Sequence, residues 1–172
     1  KEGAFITKAT AQLMRDFGCV QSPINAYMLN LGLESLHVRM ARHCENGQAV
    51  AEFLASHPKI AYVNYCGLPG DKYHAVAEKY LPNGSCGVVS FGVKGGREAA
   101  AAFMGHLKIA AIETHVADAR TCCLHPASST HRQMNDEQLI AAGVQPDLVR
   151  MSCGLEDKND LIHDIAQALD QI

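Results

Sequence analysis

Arg150 interrupts an apolar run, Leu148-Val149-Arg150-Met151-Ser152-Cys153. If the run is a strand, its period of two puts Arg150 on one face with Leu148 and Ser152, and turns Val149, Met151 and Cys153 to the other. A guanidinium in such a place needs an anion. Its planar fork holds a carboxylate through two parallel hydrogen bonds, a common way of orienting an amino-acid substrate. An arginine at a sheet edge, or in a structural ion pair, gives the same pattern, and on pattern alone that plainer reading is the commoner one.

Other constellations carry less. Gly92-Val93-Lys94-Gly95-Gly96-Arg97, with Glu113 farther on, has part of a dinucleotide-binding turn. The order G-x-G-x-x-G is missing, so a tight turn from strand to helix explains it better. A catalytic cysteine needs a thiol lowered by a histidine or a helix N-terminus. Cys122 and Cys123 are adjacent within an expected strand and send one side chain to each face, which marks them as structural. Ser128-Ser129-Thr130-His131 offers hydroxyls and an imidazole without the G-x-S-x-G elbow of a serine hydrolase. Among the nine histidines, His125 and His131 are too far apart to share a helical face and have no carboxylate-rich company, so no metal site is expected. Seven cysteines, an odd number with no C-x-x-C pair, argue against a disulfide framework and a zinc ribbon and for reduced, mostly buried thiols.

The elements that must position these residues are legible in outline. Phe5, Ile6, Ala9, Leu13 and Phe17 recur at helical spacing, and Gly18 supplies a stop. Ser22-Pro23 is a cap followed by proline at the first helical position. It opens a long helical stretch, Asn25 to Leu54, with a break at Gly32 to Ser35. Leu36, Met40, Cys44 and Val50 mark its apolar stripe, and His37, Arg39, Arg42 and His43 its solvated faces. Strands are expected at residues 60–65, 87–93, 109–112, 120–124 and 148–153, and helices at 73–81, 97–107, 136–142 and 158–172. The loop 125–135 separates two of these pieces. Strands alternating with helices point to an open α/β sandwich.

The chain has 172 residues, 48% apolar and 19% charged, enough for one domain with its own core. The net charge of -3 and scattered basic residues leave no footprint for nucleic acid or an anionic membrane. No apolar run has the length of a bilayer span, and the first residues lack the pattern of a signal peptide, so a cytoplasmic protein is expected. The start, Lys-Glu-Gly with a helix already under way, suggests a fragment or processed chain.

Taken in order, several segments resemble the C-terminal half of the pyridoxal-phosphate (PLP) enzymes of cysteine and methionine metabolism. They are Gln21-Ser22-Pro23-Ile24-Asn25-Ala26-Tyr27, Gly32-Leu33-Glu34-Ser35-Leu36, residues 39–46, Val63-Asn64-Tyr65-Cys66-Gly67-Leu68, residues 125–131, and residues 148–157. Arg-His-Cys-Glu-Asn at 42–46 and His-Pro-Ala-Ser-Ser-Thr-His at 125–131 are most similar to the O-acetylhomoserine sulfhydrylase branch. The resemblance implies an α/β (α+β type) fold: the small C-terminal domain of a fold-type I PLP enzyme. That domain is an open, mainly antiparallel or mixed sheet with helices packed on it, preceded by a long interdomain helix. Residues 1–55 would be a helical link to a PLP-binding domain not included in this chain, and 56–172 the C-terminal domain.

The same resemblance implies conversion of O-acetylhomoserine and sulfide to homocysteine and acetate, with PLP as cofactor, a small amino-acid substrate as partner, and a homodimer or homotetramer. Cystathionine γ-synthase, methionine γ-lyase and a stand-alone binding module are the alternatives. By resemblance Arg150 grips the substrate α-carboxylate, His115 stands beside it where Ser or Asn is more usual, and Thr130 lies in a loop next to the active site. No catalytic or cofactor-binding residue is assigned within the chain, because the family's Schiff-base lysine and phosphate cup precede this segment. Further departures are Cys66 in place of proline, Ala117 in place of glycine, and Leu31 in place of a polar residue.

Overall fold

The computed structural model describes residues 2–172 and divides into two compact units, the first ending at His37 and the second running Val38–Ile172. In the first, helix α1 (Ala4–Lys8) passes through a π-helical stretch (Ala9–Met14) into α2 (Arg15–Phe17), and Gly18 ends the run in the left-handed conformation at φ 67°. The stop is where the glycine predicts it; the π-helical widening leaves no mark in the residue pattern. Helix α3 (Pro23–Glu34) opens as expected, with the Ser22 hydroxyl accepting from the Asn25 amide at 3.3 Å. None of α1 to α3 buries a residue, and Phe5, Phe17, Ile24, Tyr27 and Leu33 are exposed.

Ser35 breaks the long helical stretch, and α4 (Leu36–Ser56) follows. Its buried face is not the expected one. His43, Asn46, Gly47, Val50, Ala51 and Leu54 point inward, while Leu36 and Met40 stay partly open. The expectation that His43 is solvated is therefore corrected: it is 2% exposed. The reason is specific bonding. A His43 ring nitrogen, Nδ1, lies 2.7 Å from the Cys153 carbonyl, and the Asn46 amide donates to the carbonyls of Gly154 and Glu156, both at 2.9 Å. These bonds offset part of the cost of burying two polar side chains, although His43 Nε2 and Asn46 Oδ1 are buried without a partner.

The second unit continues with β1 (Ile60–Asn64), α5 (His74–Tyr80), β2 (Val88–Val93), α6 (Gly96–His106), β3 (Ala111–Ile112), β4 (Cys122–Leu124), α7 (Asp136–Ala141), β5 (Leu148–Ser152) and α8 (Lys158–Asp170). A short 3-10 turn, Pro126–Ser128, lies within the expected loop. The sheet has the order β1-β2-β5-β4-β3. Its first three pairings are antiparallel and β3 pairs with β4 in parallel, so the sheet is mixed. Register sorts the side chains by face. Met151 pairs with Val89 on one side and Cys123 on the other, Phe91 pairs with Val149, and all five lie in the core. Phe103 of α6 meets Phe91 edge to face at 5.8 Å; an aromatic pair of this kind adds about 0.5–1.5 kcal/mol beyond the area it buries. Leu161, Ile165 and Leu169 of α8 complete the same cluster.

Asp164 is the main polar feature of that layer. It is 4% exposed, and its carboxylate accepts the backbone amides of Lys108, Ile109 and Ala110 at 2.8, 2.9 and 3.0 Å. It thereby satisfies the segment entering β3, which the two-residue strand cannot do alone. Among the described residues no helix is long and apolar enough to cross a membrane.

Candidate functional site

The face of the sheet opposite the core carries Arg150. Strand alternation places it there as expected, with Val149 and Met151 fully buried on the other side. Its cross-strand neighbours are Ser90 of β2 and Leu124 of β4, and Asn64 of β1 lies one strand beyond Ser90. Asn64 donates to the Ser90 hydroxyl at 3.4 Å, so this end of the open face is polar.

Arg150 makes one hydrogen bond, from Nη2 to the carbonyl of Thr114 at 2.8 Å. Among the described residues no carboxylate lies within ion-pairing distance of it. Four other arginines are already committed to acids: Arg15 to Asp16, Arg42 to Glu45, Arg97 to Asp136 and Arg120 to Glu113. Among the described residues Arg150 has no structural ion pair, and its side chain is shown bonding only the Thr114 carbonyl.

The loop from Glu113 to Arg120 frames this guanidinium. The Glu113 amide donates to the Cys123 carbonyl at 3.2 Å, continuing the β3-β4 pairing by one residue. Thr114 then turns its carbonyl to Arg150, and His115 follows it in the chain. His115 is exposed and its Nδ1 lies 2.9 Å from Glu113 Oε2, with Asp118 at 3.9 Å. The Arg120 amide holds the Asp118 carboxyl below the usual carboxylate range, helped by the Arg120 charge.

Farther along, the Ala117 amide donates to the Ser152 hydroxyl at 3.0 Å, and Ala117 has φ 58°, a left-handed conformation that glycine adopts without strain. The departure from glycine noted at this position thus falls where the backbone favours glycine. Glu156 closes the loop from below by accepting from the Thr121 amide at 2.7 Å and its hydroxyl at 2.8 Å.

Arg150 bonds the backbone just before His115, at the Thr114 carbonyl, while the His115 ring itself turns to Glu113 and Asp118. Thr130 stands apart from that bonding: it is exposed after the 3-10 turn and its hydroxyl meets His131 Nδ1 at 2.9 Å. His125, in the same loop, is buried and bonds the Pro146 carbonyl at 2.8 Å and the Ser128 hydroxyl at 2.9 Å; burial holds its imidazole below the ordinary range. It is a structural pin between the loop and the start of β5. Cys122, Cys123 and Cys153 are buried, Cys44, Cys66 and Cys86 partly so and Cys19 is exposed, so fewer thiols are buried than expected. Burial pushes Cys123 far up and Cys153 up to about 12, the reverse of what a nucleophile needs. Cys122 is raised by burial and by the neighbouring Glu113 charge.

Comparison with known proteins gives the following. The model of the family described as Cys/Met metabolism PLP-dependent enzyme matches residues 1–170. The chain is 45% identical over 170 residues to an O-acetyl-L-homoserine sulfhydrylase of Leptospira meyeri, covering 98% of this chain and 38% of that protein. It is 43% identical over 168 residues to O-acetyl-L-homoserine sulfhydrylase 1 of Thermus thermophilus, covering 98% and 40%. Homocysteine synthase of Schizosaccharomyces pombe is 42% identical over 167 residues, with 97% and 39% covered. A crystal structure of a Campylobacter jejuni protein described as an O-acetylhomoserine (thiol)-lyase, with a pyridoxyl-lysine monophosphate, superposes with a TM-score of 0.86. Its identity is 37%, over 96% of this chain and 39% of that one. The chain therefore spans about two-fifths of the length of the relatives it matches.

Proposed function

Since the chain belongs to the Cys/Met metabolism family of PLP-dependent enzymes, we propose that the whole protein is a sulfhydrylase, with Arg150 holding the substrate α-carboxylate. It would exchange the acetyl group of O-acetylhomoserine for sulfide and release homocysteine and acetate. The observation that carries the role of Arg150 is its environment: a guanidinium on the open sheet face, bonded to one neutral carbonyl and to no acid. The sulfhydrylase branch is supported by the names of the relatives at 42% to 45% identity.

PLP supplies an electron sink for negative charge developing on the substrate carbons. Four of the described lysines are poorly suited to hold it. Lys59 gives its amine to the carbonyls of Leu169 and Ile172 at 2.8 and 2.6 Å, Lys94 to Pro58 at 2.6 Å, and Lys158 to Glu45 at 2.9 Å. Lys108 borders a hollow of about 360 Å³, but Asp160 and Asp164 line the same hollow and would repel a phosphate. PLP is accordingly assigned mainly to the portion of the relatives that this chain does not span.

In this reading the contribution of the chain is recognition. Arg150 keeps one N–H on Thr114, which fixes the plane of the fork, and offers the rest to the carboxylate. His115 presents its second ring nitrogen to solvent beside that position, and Thr130 remains a candidate from the neighbouring loop. Residues 1–55 are assigned to the helical link to the PLP-binding part and 56–172 to the C-terminal α/β domain, with the second half of α4 also packing into the core of that domain. A cytoplasmic homodimer or homotetramer acting on a small amino acid, and neither nucleic acid nor membrane, completes the proposal.

The experiment is a steady-state comparison on the complete protein with PLP. O-acetylhomoserine with sulfide should give homocysteine, while cystathionine and methionine should be cleaved poorly. Arg150→Met should lower kcat/KM by a factor of about 30 or more, the loss of a charge-assisted pair worth about 2 kcal/mol or above. Cleavage of cystathionine or methionine without sulfhydrylation would overturn the branch. An Arg150→Met enzyme with unchanged kcat/KM would overturn the carboxylate assignment.

A further inference from the structure

Glu113, His115 and Cys122 direct one ligand atom each to a common point. Glu113 Oε2, His115 Nδ1 and Cys122 Sγ all lie within 4.8 Å of one another. The first two are 2.9 Å apart, and Cys122 Sγ is 3.9 Å from Glu113 Oε2. Around a tetrahedral zinc ion, with bonds of about 2.0 Å to nitrogen and oxygen and about 2.3 Å to sulfur, ligand atoms stand roughly 3.3–3.5 Å apart. The observed spacings bracket that value, so small side-chain rotations would close the shell. We propose that these three residues form a binding site for a borderline divalent cation of the zinc class, with solvent in the fourth position.

The donor set selects the ion. One thiolate, one imidazole and one carboxylate suit zinc or cobalt and disfavour magnesium and calcium, which take oxygen ligands. The positions are set by backbone that is already fixed. Cys122 is in β4, and Glu113 follows β3 with its amide on the Cys123 carbonyl, so the parallel pairing of the two strands presents both side chains at one edge. His115 joins them from two residues farther on. Arg120 bonds the other Glu113 oxygen, Oε1, at 3.3 Å, the arrangement by which outer groups orient a ligating carboxylate, while Oε2 meets only His115 and Cys122, the two groups that would share the ion with it. No metal site is expected from the spacing of the nine histidines. This cluster mixes residue types over a separation that the fold, not the sequence, closes.

The site does not depend on the sulfhydrylase reading, but it touches the same loop. Glu113 and His115 flank Thr114, whose carbonyl is the one partner of Arg150. An ion held by both neighbours would clamp that carbonyl in place.

The test is titration of the reduced, metal-free chain with cobalt(II), followed by absorption. Saturation at one equivalent is expected, with a thiolate-to-cobalt charge-transfer band and the visible bands of four-coordination, and zinc should bleach both. Cys122→Ser should remove the charge-transfer band. His115→Asn, at an exposed side chain whose only partners are Glu113 and Asp118 of its own loop, should weaken binding by at least about tenfold. Cys19→Ser and Cys66→Ser should leave the titration unchanged. No saturable binding at one equivalent, a band that survives Cys122→Ser, or an unaltered affinity in His115→Asn would each overturn the site. Should Cys122→Ser not fold, the His115 variant decides alone.

Discussion

Replacing Asp164 by alanine removes the acceptor of three consecutive backbone amides, those of Lys108, Ile109 and Ala110. The Ala110 amide is closed off from water, while the other two lie in partly open surroundings. A buried donor left without a partner costs about 1–3 kcal/mol. Counting the Ala110 amide in full and the other two in part gives a loss of about 3–5 kcal/mol, a large share of the stability of a small domain. Asp164→Asn keeps one acceptor oxygen but turns an NH2 group towards a donor, so it should cost less, about 2–3 kcal/mol. The protein has no tryptophan, and urea unfolding is therefore followed by far-ultraviolet circular dichroism. The midpoint should fall in the order native, Asn, Ala with the slope unchanged. An alanine variant within about 1 kcal/mol of the native protein would show that the amides find other partners and would refute the reasoning.

Three further outcomes follow from the same geometry. Ala117→Gly should raise stability by about 0.5–1 kcal/mol, since relief of the left-handed strain exceeds the extra freedom glycine brings to the unfolded chain; a lower melting temperature would contradict this. Burial depresses the His125 imidazole, so below its ordinary pKa of about 6.5 the unfolded chain binds more protons than the folded one. Stability should be full above about pH 6.5 and decline as pH falls below it, and His125→Asn should flatten that acid-side decline in urea midpoints, although it lowers the midpoints throughout. A thiol reagent should modify exposed Cys19 at once and buried Cys123 and Cys153 only on unfolding, which mass spectrometry of tryptic peptides can read.

Residues with strong local rules were readable in the sequence. Gly18 and Ser22-Pro23 fixed helix ends because their effect is on their own backbone. The alternation around Arg150 correctly assigned its face, because two buried neighbours define a strand without any other element. The inward face of α4 was misjudged because apolarity was taken as the sign of burial. His43 and Asn46 are inside on account of carbonyls 108 to 110 residues away, and no local window contains that information. The cluster of Glu113, His115 and Cys122 was invisible for a related reason: strand order and the parallel β3-β4 pairing create it. Resemblance to family patterns supplied the role proposed for Arg150, which residue type and spacing alone left as an ordinary sheet arginine.

The order of the sheet has a consequence for how the chain is made. Strand β2 lies between β1 and β5, yet β5 follows it only after residues 94–147 have been synthesised. At about 5–20 residues per second that gap is roughly 3–11 s on the ribosome. Throughout that interval the apolar face of β2 has no central partner, and His43 and Asn46 of α4 await carbonyls that do not yet exist. Such pairing across long stretches of chain also makes folding slow once it can begin. The nascent chain is thus most exposed to proteases and to association with its own kind just before its last strand emerges, and a pause in translation between β4 and β5 would prolong that exposure more than a pause anywhere earlier.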